Sequence, residues 1–188
     1  MKKFFNNHKI TSLLALFILA FAVVSCQRDE EVDDLPQEEL TDIVLKVKDL
    51  STSETKSYTY SVGAGSAPTI ALEDGKSYQV ETVYLNGSED VTGEIRDAKD
   101  EHFMIFDFPK STINITRQDP ASSTRADGAK VGLLTQWDVV KVVDSSSPIV
   151  KITLVHEPAT VNEAQNGTAW GSVTGGETDA EATFGLAN

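Results

Sequence analysis

The chain has 188 residues, and its 29 acidic side chains outnumber 16 basic ones to give a formal charge of −13. A surface this acidic repels nucleic acid and anionic lipid headgroups, and no basic patch offsets it. Cys26 is the single cysteine, so an internal disulfide is excluded and stability must come from a buried core.

The chain opens with three parts in the order a secretion signal requires. Lys2, Lys3 and Lys9 form a cationic start, Leu13 to Val24 are apolar without charge, and Val23-Val24-Ser25-Cys26 closes the segment. The apolar run falls short of the roughly 20 residues a spanning helix needs, and charge follows Cys26 at once. The closing residues resemble the lipobox of bacterial lipoproteins. That resemblance implies that residues 1–25 are removed and that Cys26 carries the lipid at the mature N-terminus. The folded part then has no thiol chemistry and no thiolate metal site. Cleavage takes three lysines and no acid, leaving 13 basic residues (16 less 3) against 29 acidic and a net charge of −16. Each buried methylene contributes about 0.8 kcal/mol, so two or three acyl chains amount to a permanent membrane anchor.

Residues 26–40 read as a tether. Gln27 to Leu40 hold seven acids, one arginine and Pro36, too little apolar surface to offset ordering entropy. Cys26-Gln27-Arg28-Asp29-Glu30-Glu31 also resembles the acidic export signal of surface lipoproteins of Bacteroidota. That resemblance implies an outer-membrane protein facing the cell exterior; a plain solvated linker is the competing reading.

Residues 41–188 are expected to form one all-β domain, an immunoglobulin-like antiparallel β-sandwich with one short helix. Ile43 to Val47 make a first run, and Tyr58, Tyr60 and Val62 alternate with Ser57, Thr59 and Ser61 at the period of a half-buried strand. Thr69 to Leu72 resume after a glycine-rich break. Glu73-Asp74-Gly75 then turn into Tyr78, Val80, Thr82 and Tyr84, which end at Asn86-Gly87. Leu72-x-x-Gly75-x-x-Tyr78 looks like the tyrosine corner of immunoglobulin-like domains; a core tyrosine on any strand is the alternative.

Val91, Ile95, Ala98 and His102 fall at spacings of four, three and four, which predicts a helix over Asp90 to His102 weakened by Gly93. His102 to Phe108, Ile113 with Ile115, Val131 to Val143, Ile149 to His156 and Thr178 to Leu186 supply further strands. Gln118 to Lys130 form a polar loop. In the last strand Ala180, Ala182 and Phe184 alternate against Asp179, Glu181 and Thr183.

Catalysis finds little support. There is no Gly-x-Ser-x-Gly elbow, His-Glu-x-x-His helix or phosphate-cradling glycine loop, and only His102 and His156 remain as imidazoles after cleavage. These two carry the sharpest expectation. Asp100-Glu101-His102 and His156-Glu157 stand at element ends, and imidazole with carboxylate is a donor set for a divalent metal such as zinc. The competing reading places both histidines in the core: His156 shares strand parity with Val150, Ile152 and Leu154, and His102 lies on the helix's apolar stripe. Trp170, in a glycine-rich stretch, is a candidate ligand-stacking ring.

The mature chain resembles a group of uncharacterised Bacteroidota surface lipoproteins often labelled "type 1 periplasmic binding fold". The resemblance rests on Ile70-x-Leu72 with Tyr78, Gly87-x-Glu89-Asp90-Val91-Thr92, and Asp100-Glu101-His102-x-x-x-Phe106. Val131-Gly132-Leu133 with Trp137, Thr153-Leu154-Val155-His156 and Gly176-Glu177-Thr178-Asp179 continue it. It implies an accessory role beside a TonB-dependent outer-membrane receptor. Val155 and Glu157 depart from the group's usual lysine and glutamine around the second histidine. The group's label also conflicts with the strands, since that α/β fold needs many alternating helices. Two function classes stay open: a binding module that captures a metal or small ligand, and a structural lipoprotein that binds another envelope protein.

Overall fold

The computed structural model describes residues 40–188; the signal segment, Cys26 and the tether up to Glu39 lie outside the described residues. Leu40, expected to end the tether, is 6% exposed and belongs to the core, so the folded domain begins one residue earlier.

Twelve strands follow: β1 (Asp42–Asp49), β2 (Thr55–Ser61), β3 (Thr69–Ala71), β4 (Ser77–Asn86), β5 (Glu89–Asp90), β6 (His102–Asp107), β7 (Thr112–Arg117), β8 (Leu134–Lys141), β9 (Ser145–His156), β10 (Thr160–Asn166), β11 (Ala169–Thr174) and β12 (Glu177–Ala187). A single α-helix among the described residues, α1 (Thr92–Asp97), sits between β5 and β6. One sheet runs β2-β1-β4-β8-β7 with β5 against β4; the other runs β10-β11-β6-β9-β12-β3. Pairing is antiparallel except for β12 with β3.

This is an all-β sandwich, as the two-residue period predicts. Alternate residues of both sheets supply the core: Ile43, Leu45, Val80 and Trp137 from one, Phe106, Ile152, Ala182 and Phe184 from the other. Trp137 joins them, with ring centroids 5.1 Å from Phe108 and 6.3 Å from Phe106 in edge-on geometry. Its indole N–H donates to Thr135 Oγ1 at 2.9 Å, so no polar atom of the ring is buried unmet.

Tyr78 does fasten a corner. The Glu73 backbone N–H donates to its hydroxyl at 2.9 Å, across a turn that Gly75 completes at φ +81°.

The helix is shorter than its spacing predicts. Val91 and Ile95 are buried as expected, yet the helix stops at Asp97 and His102 is the first residue of β6. A six-residue helix containing Gly93 is too short to hold residues that a neighbouring strand can pair. A second difference is the β10–β11 hairpin, which the sequence reading left as a glycine-rich stretch. β10 is mostly exposed, β11 is mostly half-buried, and neither shows apolar alternation, but the Asn166-Gly167 turn, with Gly167 at φ +64°, is a hairpin signal.

Arg117 plugs the seam where β7 and β6 approach. It is 5% exposed, and its guanidinium donates to the carbonyls of Met104 (2.5 Å), Val131 (2.7 Å) and Lys130 (3.3 Å). Its Cζ lies 4.2 Å from the Phe103 ring centre. Gly132 and Gly171 line its lane, and a Cβ on either would collide with the guanidinium.

Candidate functional site

The end of the sandwich beside α1 gathers the titratable groups. His102 opens β6 and His156 closes β9, and the antiparallel register sets them directly opposite each other. Both share the inner face, His102 with Met104 and Phe106, His156 with Ile152 and Leu154. Their rings stack with centroids 5.2 Å apart and planes 29° from parallel. The two imidazoles singled out in the sequence lie side by side, on the core face that the competing reading gives them.

The third member is Asp179, which the sequence does not single out. The β12–β9 register slips between Thr178 and Ala180, so Asp179 is the extra residue of a β-bulge. An unbroken strand would send its side chain outward, opposite to Ala180. The bulge turns it inward, where Oδ2 lies 3.3 Å from His102 Nε2 and Oδ1 lies 3.9 Å from His156 Nδ1. One carboxylate thus spans both imidazoles.

The chemistry of His102 follows from its two partners. The ring is 3% exposed and Nδ1 stands 2.9 Å from the Ala98 carbonyl, an atom that only accepts, so Nδ1 carries the proton. Nε2 then faces a carboxylate, where a bare lone pair would be repelled. A proton or a metal ion at Nε2 resolves that conflict. Burial alone lowers the pKa of His102, but the hydrogen bonds to Asp179 and Ala98 and the charges of Asp179 and Glu101 outweigh it, leaving a net upward shift.

Tyr84 reaches the cluster from the opposite sheet. It is wholly buried, and its hydroxyl has no hydrogen-bond partner among the described residues. Burial first, and the charge of Asp179 second, push its phenol far above the ordinary range. A neutral phenol with an unused proton therefore lies within electrostatic reach of Asp179.

The remaining expected residues are placed differently. Glu101 stays at the periphery, half-exposed, with Oε2 at 3.8 Å from His156 Nε2. Asp100 turns away and accepts the Ala126 N–H at 2.5 Å, pinning the polar loop. Glu157 contributes only its backbone: its N–H donates to the Glu101 carbonyl at 2.6 Å, at a φ of +47° that few non-glycine residues adopt. Trp170 is partly buried against the core and its indole N–H donates to the Ile113 carbonyl at 2.8 Å, so its ring is no open platform. Among the described residues, no group of three or more His, Cys, Asp or Glu side chains is placed to hold a metal ion.

Comparison with known protein families, with characterised proteins and with solved structures finds no match to this chain. Among the described residues no helix is long and apolar enough to cross a membrane.

Proposed function

We propose that this protein is a lipid-anchored, non-enzymatic binding module of the outer membrane, exposed at the cell surface, that captures a divalent transition metal at the His102–Asp179–His156 rim. One observation carries the metal reading. His102 commits Nδ1–H to a backbone carbonyl and aims Nε2 at a carboxylate, the orientation in which proteins hold a histidine ligand. His156 and Asp179 are 16% and 12% exposed at the side chain, so the rim is reachable from solvent, as an exchangeable site requires. The net negative charge concentrates cations nearby. The lipobox supports the anchor through Cys26. The acidic run after it supports the surface, and the resemblance to Bacteroidota lipoproteins supports a TonB-dependent receptor as partner.

Zinc titrated into the chelator-treated full-length protein in detergent should release heat with one-site saturation. Asp179→Asn should remove the heat while the protein stays folded. Zinc heat unchanged in Asp179→Asn would refute the rim as the site. Cys26→Ser should leave the chain unprocessed, and palmitate labelling of that variant at the normal level would refute the anchor.

The second reading, a structural lipoprotein that binds another envelope protein, is favoured by one feature. Asp179 bridging both rings already acts as a clasp across β6, β9 and β12, and among the described residues no group of three such side chains is placed to hold a metal ion. Under that reading zinc gives no heat, and a cross-linked partner protein is recovered from intact cells.

A further inference from the structure

We propose a second binding site, independent of the rim: the crevice where β4 and β8 part, holding a small carboxylate that also carries hydroxyl groups, with sugar acids as the ligand class.

The ladder between these strands ends at Glu81 opposite Leu134, with a last bond from the Thr82 N–H to the Leu133 carbonyl. Beyond it the chain before β8 is drawn aside, because the Asp119 carboxylate accepts the N–H groups of Gly132 and Leu133. The gap this opens is walled by α1 on one side and by the turn around Ser122 on the other. It encloses about 350 Å³, the lower end of the range for small-molecule sites.

Three observations specify what fits. Thr82 lines the gap and is fully buried, yet its hydroxyl has no hydrogen-bond partner among the described residues. A valine would fill that inner-face position without a stranded polar atom, so packing does not explain the hydroxyl. Arg96, half-buried in the last turn of α1, also lines the gap and makes no ion pair or hydrogen bond among the described residues. Its charge helps hold the Asp90 carboxyl below the ordinary range, and its N–H donors face the crevice with no acceptor of their own among the described residues. The one carboxylate at the mouth, Glu81, is already paired to Lys46 at 3.4 Å and so opposes an incoming anion less.

A single guanidinium forks onto one carboxylate. The Thr82 and Ser122 hydroxyls suit ligand hydroxyls, and Pro120, Leu133 and Leu134 offer an apolar wall for a carbon skeleton. Inorganic phosphate, with more charge and no carbon face, fits this lining less well.

The test uses the full-length protein in detergent, followed by amide chemical shifts and calorimetry. Glucuronate should bind saturably, with the largest shifts at Thr82, Arg96 and Leu133, whereas glucose, of equal size but neutral, should not. Arg96→Gln should weaken glucuronate at least about tenfold, the scale of one charge-assisted pair. Thr82→Val should also weaken it while leaving the melting temperature equal or higher, a combination that a purely structural hydroxyl would not produce. Zinc binding at the rim should be unchanged in both variants. Equal responses to glucuronate and glucose, or unweakened binding in Arg96→Gln, would overturn the proposal. Phosphate binding as tightly as glucuronate would overturn the sugar-acid assignment.

Discussion

Arg117 and the His102–Asp179–His156 rim are both polar centres sunk in an apolar sandwich, and they differ in what is left over. Arg117 is held on several sides: three carbonyls accept its protons and Phe103 lies under its plane. Burial pulls its pKa down to about 10, still far above neutral, so it stays charged, while Asp119 and Glu163 favour the cation. Asp119 beside it is pushed up by burial and held against that by the backbone N–H groups it accepts. Arg117 is 5% exposed, its guanidinium packed between backbone carbonyls and a ring. At the rim, one carboxylate is shared between two rings, and the Tyr84 hydroxyl has no partner among the described residues. A buried polar group with every bond made is architecture, whereas one with capacity left over marks a site.

Breaking the saturated centre should cost most. Arg117→Ala takes a buried donor from the Met104, Val131 and Lys130 carbonyls, of which Val131 keeps the Met104 N–H, and leaves Asp119 without its cation; it should lower the unfolding free energy by about 3–5 kcal/mol in a urea titration. A loss under about 1 kcal/mol would mean water replaces the guanidinium and that the seam is not closed.

The rim should respond less to mutation and more to pH. Asp179→Asn removes a hydrogen bond to a charged group and should cost about 1.5–3 kcal/mol at pH 6 in the presence of chelator. The sign of the pH dependence follows from His102, whose folded pKa is raised above an unfolded value near 6.5. Its stabilisation is complete below the unfolded value and fades as pH rises through the folded one. The groups facing it are Asp179, Glu101, His156 and Tyr84. Chelated wild-type protein should therefore melt lower at pH 8.5 than at pH 6, and Asp179→Asn should flatten that slope. An equally steep slope in the variant would assign the titration to another group.

The smallest effect is the most discriminating. Tyr84→Phe deletes a hydroxyl that has no partner, so the apo protein should be unchanged or gain about 1 kcal/mol, the reverse of an ordinary buried tyrosine. Tyr78→Phe is the control, since it forfeits the bond from Glu73 and should lose about 1 kcal/mol. If both variants lose stability alike, Tyr84 has a structural partner and the contrast with Arg117 disappears.

Strand alternation made the sandwich legible because a side chain's face on a pleated strand is a local property. Ile43, Leu45, Trp137 and Ile152 declare their orientation through their neighbours. His156 was legible at the end of an inward-facing strand series and His102 as the end of a helix's apolar stripe, each beside a carboxylate. Asp179 was not, because its orientation depends on one extra residue in β12 relative to β9, a register that exists only once the strands are paired. Tyr84 was readable as a core residue, but its unmet hydroxyl is a fact about the opposite sheet. Arg117 escaped notice because alternation classifies it as polar, and its partners come from β6 and from the run before β8. Local periodicity therefore determined the layers of this protein and the face of most residues. Register across strands and packing between sheets decided which polar atoms end satisfied and which remain available, because hydrogen-bond partners are set by distance in space.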